Sequence, residues 1–278
     1  PACGTEEDSH DSDSLPANGR LCEVVAKMGS GFLRGQRAPY RIELMSKPAF
    51  DEYAEKYDAW FLENRAILES EVLLLRRFLH NPGETVSVGC GTGLFELILR
   101  EEHGIDIRHG VEPSDDMREV AVKRGLLVET GSAETLPYLD GNFDTALLNG
   151  IPGYVDDLER AFAEAYRILK PGGAIVVADV PAESSFGLLY QFAATKGSWD
   201  DPALAGLAPA LPYPVELAAA ARWRTTGEKA ELLERVGFTG LEYAQTLTVH
   251  ARFANDSVEQ PVEGFDRGDY VAIRARKG

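Results

Sequence analysis

From Phe50 onward the apolar residues fall at three- and four-residue steps: Phe50, Tyr53, Tyr57, Trp60 and Phe61, then Ile67, Leu68, Val72, Leu75, Phe78 and Leu79. That spacing predicts two helices, the second stopped by Asn81-Pro82-Gly83. The pattern then switches between short apolar runs and helical periods. Strands are predicted over 85–88, 107–111, 126–128, 143–148 and 174–180, and helices over 94–100, 115–123 and 156–169, the last closed by Lys170-Pro171-Gly172-Gly173. Strands alternating with helices give βαβ units, hence an α/β fold: a Rossmann-like, doubly wound and mostly parallel sheet with helices on both faces. Residues 181–225 break the rhythm. They are rich in Pro, Ala, Gly and aromatic residues and read as a cap insertion with short helices. Residues 227–236 return to helical spacing, and 241–249 and 270–274 predict an antiparallel strand pair at one edge.

The first 44 residues lack this patterning. "GTEEDSHDSDSLPANG" is polar, acidic and turn-rich, so 1–44 is expected to be a disordered tail or a non-native extension. "MSKPAFDEYAEKYDAWF" has the look of a start, which places one folded domain over 45–278, with N-terminal lid helices over 50–80 and the cap over 181–225. The 278 residues are 26% charged and 44% hydrophobic, an ordinary globular balance. The net charge of −17 argues against a general nucleic-acid partner, since an acidic surface repels a phosphate backbone. Cys3, Cys22 and Cys90 form no CxxC pair and no Cys/His ligand spacing, so neither a disulfide framework nor a metal site is expected. No apolar run reaches membrane-spanning length and the N-terminus is not a signal peptide, so a cytoplasmic protein without a membrane partner is the default expectation.

Candidate chemistry starts at "TVSVGCGTG", residues 85–93, a strand entering a glycine-rich turn. In an open α/β sheet ligands sit beyond the carboxyl ends of the strands, where Gly89, Gly91 and Gly93 let backbone turn sharply and approach a ligand. Thr92 is placed to cap the following helix. Glu112 ends the second strand, nineteen residues after Gly93, where an acid can accept hydrogen bonds from two ribose hydroxyls; the competing reading is a solvated strand-end acid. The third strand runs into "GSAETLP", whose amides and Ser132 can meet an adenine edge.

These pieces resemble a known family. "VSVGCGTG", "GVEPSDDM", "GSAETLPYLDGNFD" and "AYRILKPGGAIVVADV" follow, in order and spacing, the signature of class I S-adenosylmethionine-dependent methyltransferases, of the small-molecule, ubiquinone/menaquinone-biosynthesis-like branch. The motifs cover 86–180; a looser likeness runs from Phe50 to the end and touches microbial methyltransferases labelled as possible amine N-methyltransferases. The resemblance implies S-adenosylmethionine as cofactor and S-adenosylhomocysteine as product. It implies that Gly89, Gly91 and Gly93 line the methionine end, that Cys90 packs rather than reacts, and that Glu112 holds the ribose. Pro113, Ser114 and Met117 would flank the adenine, with Ser132, Ala133 and Glu134 at the next turn, Asn149 beside the methionine and methyl, and Tyr57 reaching in from the lid. The sequence departs from the family where Ser87 and Ser132 stand in place of carboxylates and Tyr154 in place of a histidine. Two neutral hydroxyls at the cofactor would shift its affinity toward Glu112 and backbone amides, and would motivate a silent, cofactor-binding regulatory protein as the alternative.

The cofactor's methyl is electrophilic, so the protein's task is in-line alignment of a nucleophile. No histidine is placed as a base: His80, His103 and His109 lie away from the strand-end face, His10 lies in the tail, and His250 follows the sixth strand. Tyr154 is the candidate catalytic, substrate-facing group; the competing reading is a loop tyrosine covering the cofactor. The acceptor is expected to be a small molecule with its own nucleophile, an amine, thiol, phenol or activated carbon. It would be enclosed by Tyr53, Tyr57 and Trp60 of the lid and Phe186, Tyr190, Trp199, Tyr213 and Trp223 of the cap, many of which could equally fill the cap's own core. Arg222 and Arg224 are read as a solvated helix start, with pairing to an acidic substrate as the other possibility. The expected assembly is a monomer or homodimer.

Overall fold

The computed structural model describes residues 50–278. The expected tail over 1–44 and the start at Met45 lie outside the described residues. Two helices open the described chain, α1 (Ala54–Glu63) and α2 (Arg65–Phe78), meeting at Asn64, whose side chain turns back to donate to the Trp60 carbonyl at 2.9 Å. The strands and helices that follow are β1 (Thr85–Val88), α3 (Leu94–His103), β2 (His109–Val111), α4 (Asp115–Lys123), β3 (Leu127–Glu129), β4 (Phe143–Asn149), α5 (Leu158–Ile168) and β5 (Leu169–Asp179). The cap holds α6 (Ser185–Lys196) and α7 (Val215–Ala220); then come α8 (Thr226–Val236), β6 (Phe238–Thr246), β7 (Val262–Glu263) and β8 (Tyr270–Lys277).

One eight-stranded sheet runs in the order β3-β2-β1-β4-β5-β8-β6-β7. The first five strands are parallel to their neighbours, and β8 is antiparallel to both β5 and β6. The expected edge pair is therefore β6 with β8, and the two-residue β7 closes the rim. Period-2 alternation divides the core. Leu147, Val176 and Ala178 face α2, α3 and α6, while Ala146, Leu148, Ile175 and Val177 face α5 and α8. Chain direction across the sheet reverses between β1 and β4, so the carboxyl ends of these two strands open a crevice at the switch point.

Most element boundaries shift by up to three residues, and the largest departure from expectation is at the start of β5. The Lys170–Gly173 stretch does not lie outside the strand: β5 begins at Leu169, and the register slips from Phe143↔Leu169 to Thr145↔Ala174. The extra residues form a bulge, for which Gly172 supplies a left-handed φ of 76°.

Candidate functional site

The loop after β1 is tied to the end of β2. The amides of Gly89 and Cys90 both donate to the Val111 carbonyl, at 2.7 and 3.1 Å. This sets the next amide, Gly91 N, 2.9 Å from Glu112 Oε2, while Glu112 Oε1 accepts from Ser114 N at 2.9 Å. Glu112 is only 6% exposed, and burial raises its proton affinity against the pull of the two amides. Each carboxylate oxygen keeps a lone pair for a further donor. Gly89 has φ 67°, and a Cβ there would strike Ile151 Cγ2 at 2.6 Å. Gly91 has φ 54°, and a Cβ there would meet nothing within 4 Å, because this backbone faces open space.

That space is a cavity of about 1030 Å³, its open mouth included. The strand-end half is walled by Gly89, Gly91, Glu112, Met117, Asn149 and Ile151. The far half is walled by Tyr57 and Trp60 of α1, Glu71 of α2, and Tyr190, Tyr213 and Trp223 of the cap. Asp179, Tyr154 and Tyr270 also line it, as do Arg222 and Arg224. Lid and cap are joined directly. Trp60 Nε1 donates to the Leu211 carbonyl at 3.0 Å, Tyr53 donates to Glu216 Oε1 at 2.9 Å, and the Trp60 and Tyr213 rings meet edge to face at 5.1 Å.

Of the expected site residues, Gly89, Gly91, Glu112, Met117, Asn149, Tyr57 and Tyr154 share this cavity. Ser87, Cys90, Gly93, Pro113, Ser132, Ala133 and Glu134 do not line it. Ser87 differs most from expectation. Its hydroxyl donates to Glu96 Oε1 at 2.6 Å, and both residues are buried, so the serine is turned to α3. A carboxylate is present beside β1 after all, contributed by the helix. Thr92 does not cap α3; Gly93 occupies the cap position, and the Thr92 hydroxyl donates to Asp58 of α1 at 2.6 Å. Cys90 is packed with Ala121 and Leu126, and burial pushes its thiol well up, as suits a packing residue. Ser132 bridges to Thr135, Ala133 joins the core, and the Glu134 carboxylate accepts from the amides of Asp156 and Asp157 at 3.1 and 3.4 Å.

Tyr154 is buried, its ring 4.6 Å from Phe50, with its hydroxyl hydrogen-bonded to Tyr213 and its acidity suppressed chiefly by burial. Asn149 Oδ1 accepts from the Tyr270 hydroxyl at 2.9 Å. Arg224 is not on a solvated helix start: it donates to the Pro152 carbonyl at 2.5 Å and the Val155 carbonyl at 3.0 Å, riveting the loop after β4. Arg222 pairs with Asp156 at 2.7 Å. His250 accepts from Arg252 N at 3.2 Å in an exposed turn.

Sequence patterning missed two acids. Glu71 sits four residues from Ile67 and from Leu75, in the middle of the apolar face of α2, and an acid at a core position was the available signal. Asp179 ends the apolar run of β5 and is paired with the buried Lys229 ammonium at 3.5 Å.

The arrangement suits a nucleoside whose ribose meets Glu112. The comparisons decide the family. A solved SAM-dependent methyltransferase of Thermotoga maritima, described as a possible histamine N-methyltransferase, is 35% identical, covers 83% of this chain and 99% of its own, and superposes with a TM-score of 0.70. The chain belongs to the SAM-dependent methyltransferases. The methyltransferase domain model matches residues 86–177, the stretch from β1 to β5. A demethylmenaquinone methyltransferase of Thermus thermophilus is 33% identical over 158 residues, 51% of this methyltransferase and 70% of the relative. An uncharacterized protein of Methanocaldococcus jannaschii is 31% identical over 228 residues, 82% of this chain and 98% of its own, so the similarity takes in lid and cap as well as the sheet.

Proposed function

We propose that the protein transfers the methyl of S-adenosylmethionine to a small-molecule acceptor enclosed between the sheet and the lid and cap. The observation that carries this reading is the continuity of one cavity from the Gly91–Glu112 cradle to the aromatic wall of Tyr57, Tyr190, Tyr213 and Trp223. Cofactor and acceptor would thereby share one space walled largely by aromatic side chains.

When bound, the cofactor supplies an electrophilic methyl on a sulfonium. Glu112 would accept from its ribose hydroxyls, the open backbone at Gly89 and Gly91 would admit its methionine end, and Met117 would pack on its adenine. Asn149, held by Tyr270, would orient the methionine moiety. Tyr154, Tyr57 and the cap aromatics would confine the acceptor and exclude water, so that alignment does most of the catalytic work. Tyr154 is too weak an acid to exchange its proton near neutrality, which suits an orienting role better than a base. The hydrogen bond between Ser87 and Glu96 puts a carboxylate beside β1, which supports a catalytic reading over a silent protein at that position.

The test is transfer of labelled methyl from S-adenosylmethionine to a panel of amines, thiols, phenols and quinols by the full chain. The expected result is a labelled small product with formation of S-adenosylhomocysteine. Binding of the cofactor without transfer to any acceptor would contradict the reading.

A further inference from the structure

The cavity wall contains one acid that nothing pairs. Glu71 is 5% exposed and lines the far half of the cavity, yet among the described residues it makes no hydrogen bond and no ion pair. The other buried acids near it are satisfied. Glu96 has Ser87 Oγ, Glu112 has two amides, and Asp179 has Lys229 and the Val180 amide. Asp269 accepts from Ser185 Oγ and Phe186 N. The charged group that acts on Glu71 is Asp179 from β5, an acid, and the charge of Glu71 in turn reaches the hydroxyls of Tyr57 from α1, Tyr190 from α6 and Tyr270 from β8. The buried Lys229 ammonium is engaged by Asp179, and the two arginines that line the cavity are engaged as well, Arg222 by Asp156 and Arg224 by the Pro152 and Val155 carbonyls.

A buried carboxyl without a donor is a defect in a closed core, but at a cavity wall it is complementary to a ligand that brings a donor or a positive charge. Its surroundings fit the same ligand. Tyr190 stands 6.2 Å from Tyr213 and 6.0 Å from Trp223, centroid to centroid, and such rings attract a cation to their faces and pack on an apolar body.

Resting on the methyltransferase reading, we propose that the acceptor is an amine with an apolar or aromatic body, its nitrogen held at Glu71 inside the tyrosine and tryptophan ring, and that Glu71 receives the proton the nitrogen must lose. Burial, with Asp179 adding to it, raises the proton affinity of Glu71, which fits it to take a proton from an ammonium. The step balances. The ammonium passes one proton to the Glu71 carboxylate and becomes a neutral amine. The nitrogen lone pair then forms the new N–C bond as the C–S bond breaks, and the bonding pair stays on sulfur as the thioether. The methylated nitrogen carries the positive charge, and Glu71 returns its proton to solvent when the product leaves.

The test uses the full chain with 2-phenylethylamine, tyramine and histamine, beside the isosteres 2-phenylethanol and 2-phenylethanethiol and the phenol 4-ethylphenol. Labelled methyl transfer, calorimetric binding to the S-adenosylhomocysteine complex, and proton release in buffers of different ionisation enthalpy are the readouts. At least one amine should be methylated at ten times or more the kcat/KM of every isostere, and its binding should release a proton as Glu71 ionises. Glu71→Gln should raise the amine KM at least tenfold and abolish proton release, while the affinity for S-adenosylhomocysteine stays within twofold. The isostere comparison and the proton release need no variant, so a Glu71→Gln protein that fails to fold does not remove the test. Preferred transfer to the thiol or phenol, no transfer to any of the three amines, or unchanged amine kinetics in Glu71→Gln overturns the amine assignment and leaves the methyltransferase reading standing. Failure of the wild type to bind S-adenosylhomocysteine overturns both.

Discussion

Ser87 on β1 donates a 2.6 Å hydrogen bond to Glu96 on α3, and both side chains are sealed from solvent. Where the resemblance leads one to expect a carboxylate on the first strand, a helix glutamate reaches the strand serine. Ser87→Asp therefore does not restore a lost function. It places a second carboxylate against a buried first one, and the variant is expected to lose about 3 kcal/mol or more of stability. Ser87→Ala leaves Glu96 without its donor and should cost about 1–3 kcal/mol. Denaturant midpoints of the two variants check both values; a stabilised Ser87→Asp protein with tighter cofactor binding would contradict this pairing.

A second contact joins the lid to the glycine loop. Asp58 of α1 accepts from Thr92 Oγ1 at 2.6 Å and pairs with Arg124 at 2.5 Å, and Arg124 also donates to the Thr92 carbonyl at 2.9 Å. Pairs held this closely are charge-assisted and worth more than an exposed ion pair. Asp58→Ala should loosen α1, raising amide hydrogen exchange over residues 54–63, and should weaken cofactor binding by about tenfold, equivalent to roughly 1.4 kcal/mol. Unchanged exchange in α1 would show that the lid is held by its aromatic contacts alone.

The buried acids make a prediction about pH. Burial raises the folded-state proton affinity of Glu71 well above its ordinary value of 4.5. A raised group contributes stability that is full below its unfolded value and is lost as pH rises through the folded one. In the ligand-free protein the cost of Glu71 thus grows from about pH 4.5 upward, whereas Gln at this position has no titration. Glu71→Gln should melt higher than wild type at pH 8, with the difference shrinking toward pH 4.5. A difference independent of pH, read by thermal melts across that range, would mean that Glu71 does not titrate in the fold.

The fold was legible because it is written in periodicity. The 3.6-residue spacing of Ile67, Leu68, Val72 and Leu75 and the apolar run of 174–178 bury as they read, and alternate strand residues go to opposite faces of the sheet. The closeness of Gly91 and Glu112 was legible for a related reason. Gly91 and Glu112 lie one strand apart at carboxyl ends, and order along the chain fixes their neighbourhood. What sequence did not reveal are partnerships between elements distant in the chain: Ser87 turning to Glu96, Thr92 to Asp58, Asp179 to Lys229. A serine's spacing says that it faces inward, but not which neighbour accepts its proton. Glu71 was hidden by its own helix, since an acid within an apolar stripe has meaning only once the stripe is known to border a cavity.

The central claim is that the Gly91–Glu112 cradle holds the methyl donor. Calorimetric titration of the full chain with S-adenosylhomocysteine tests it most directly, in wild type and in Glu112→Ala. The account predicts one site per chain with an affinity of about micromolar order in wild type, and a loss of one to two decades in Glu112→Ala, the worth of about 1–3 kcal/mol of ribose hydrogen bonding. No binding in wild type at millimolar ligand, or an affinity unchanged by Glu112→Ala, would contradict it.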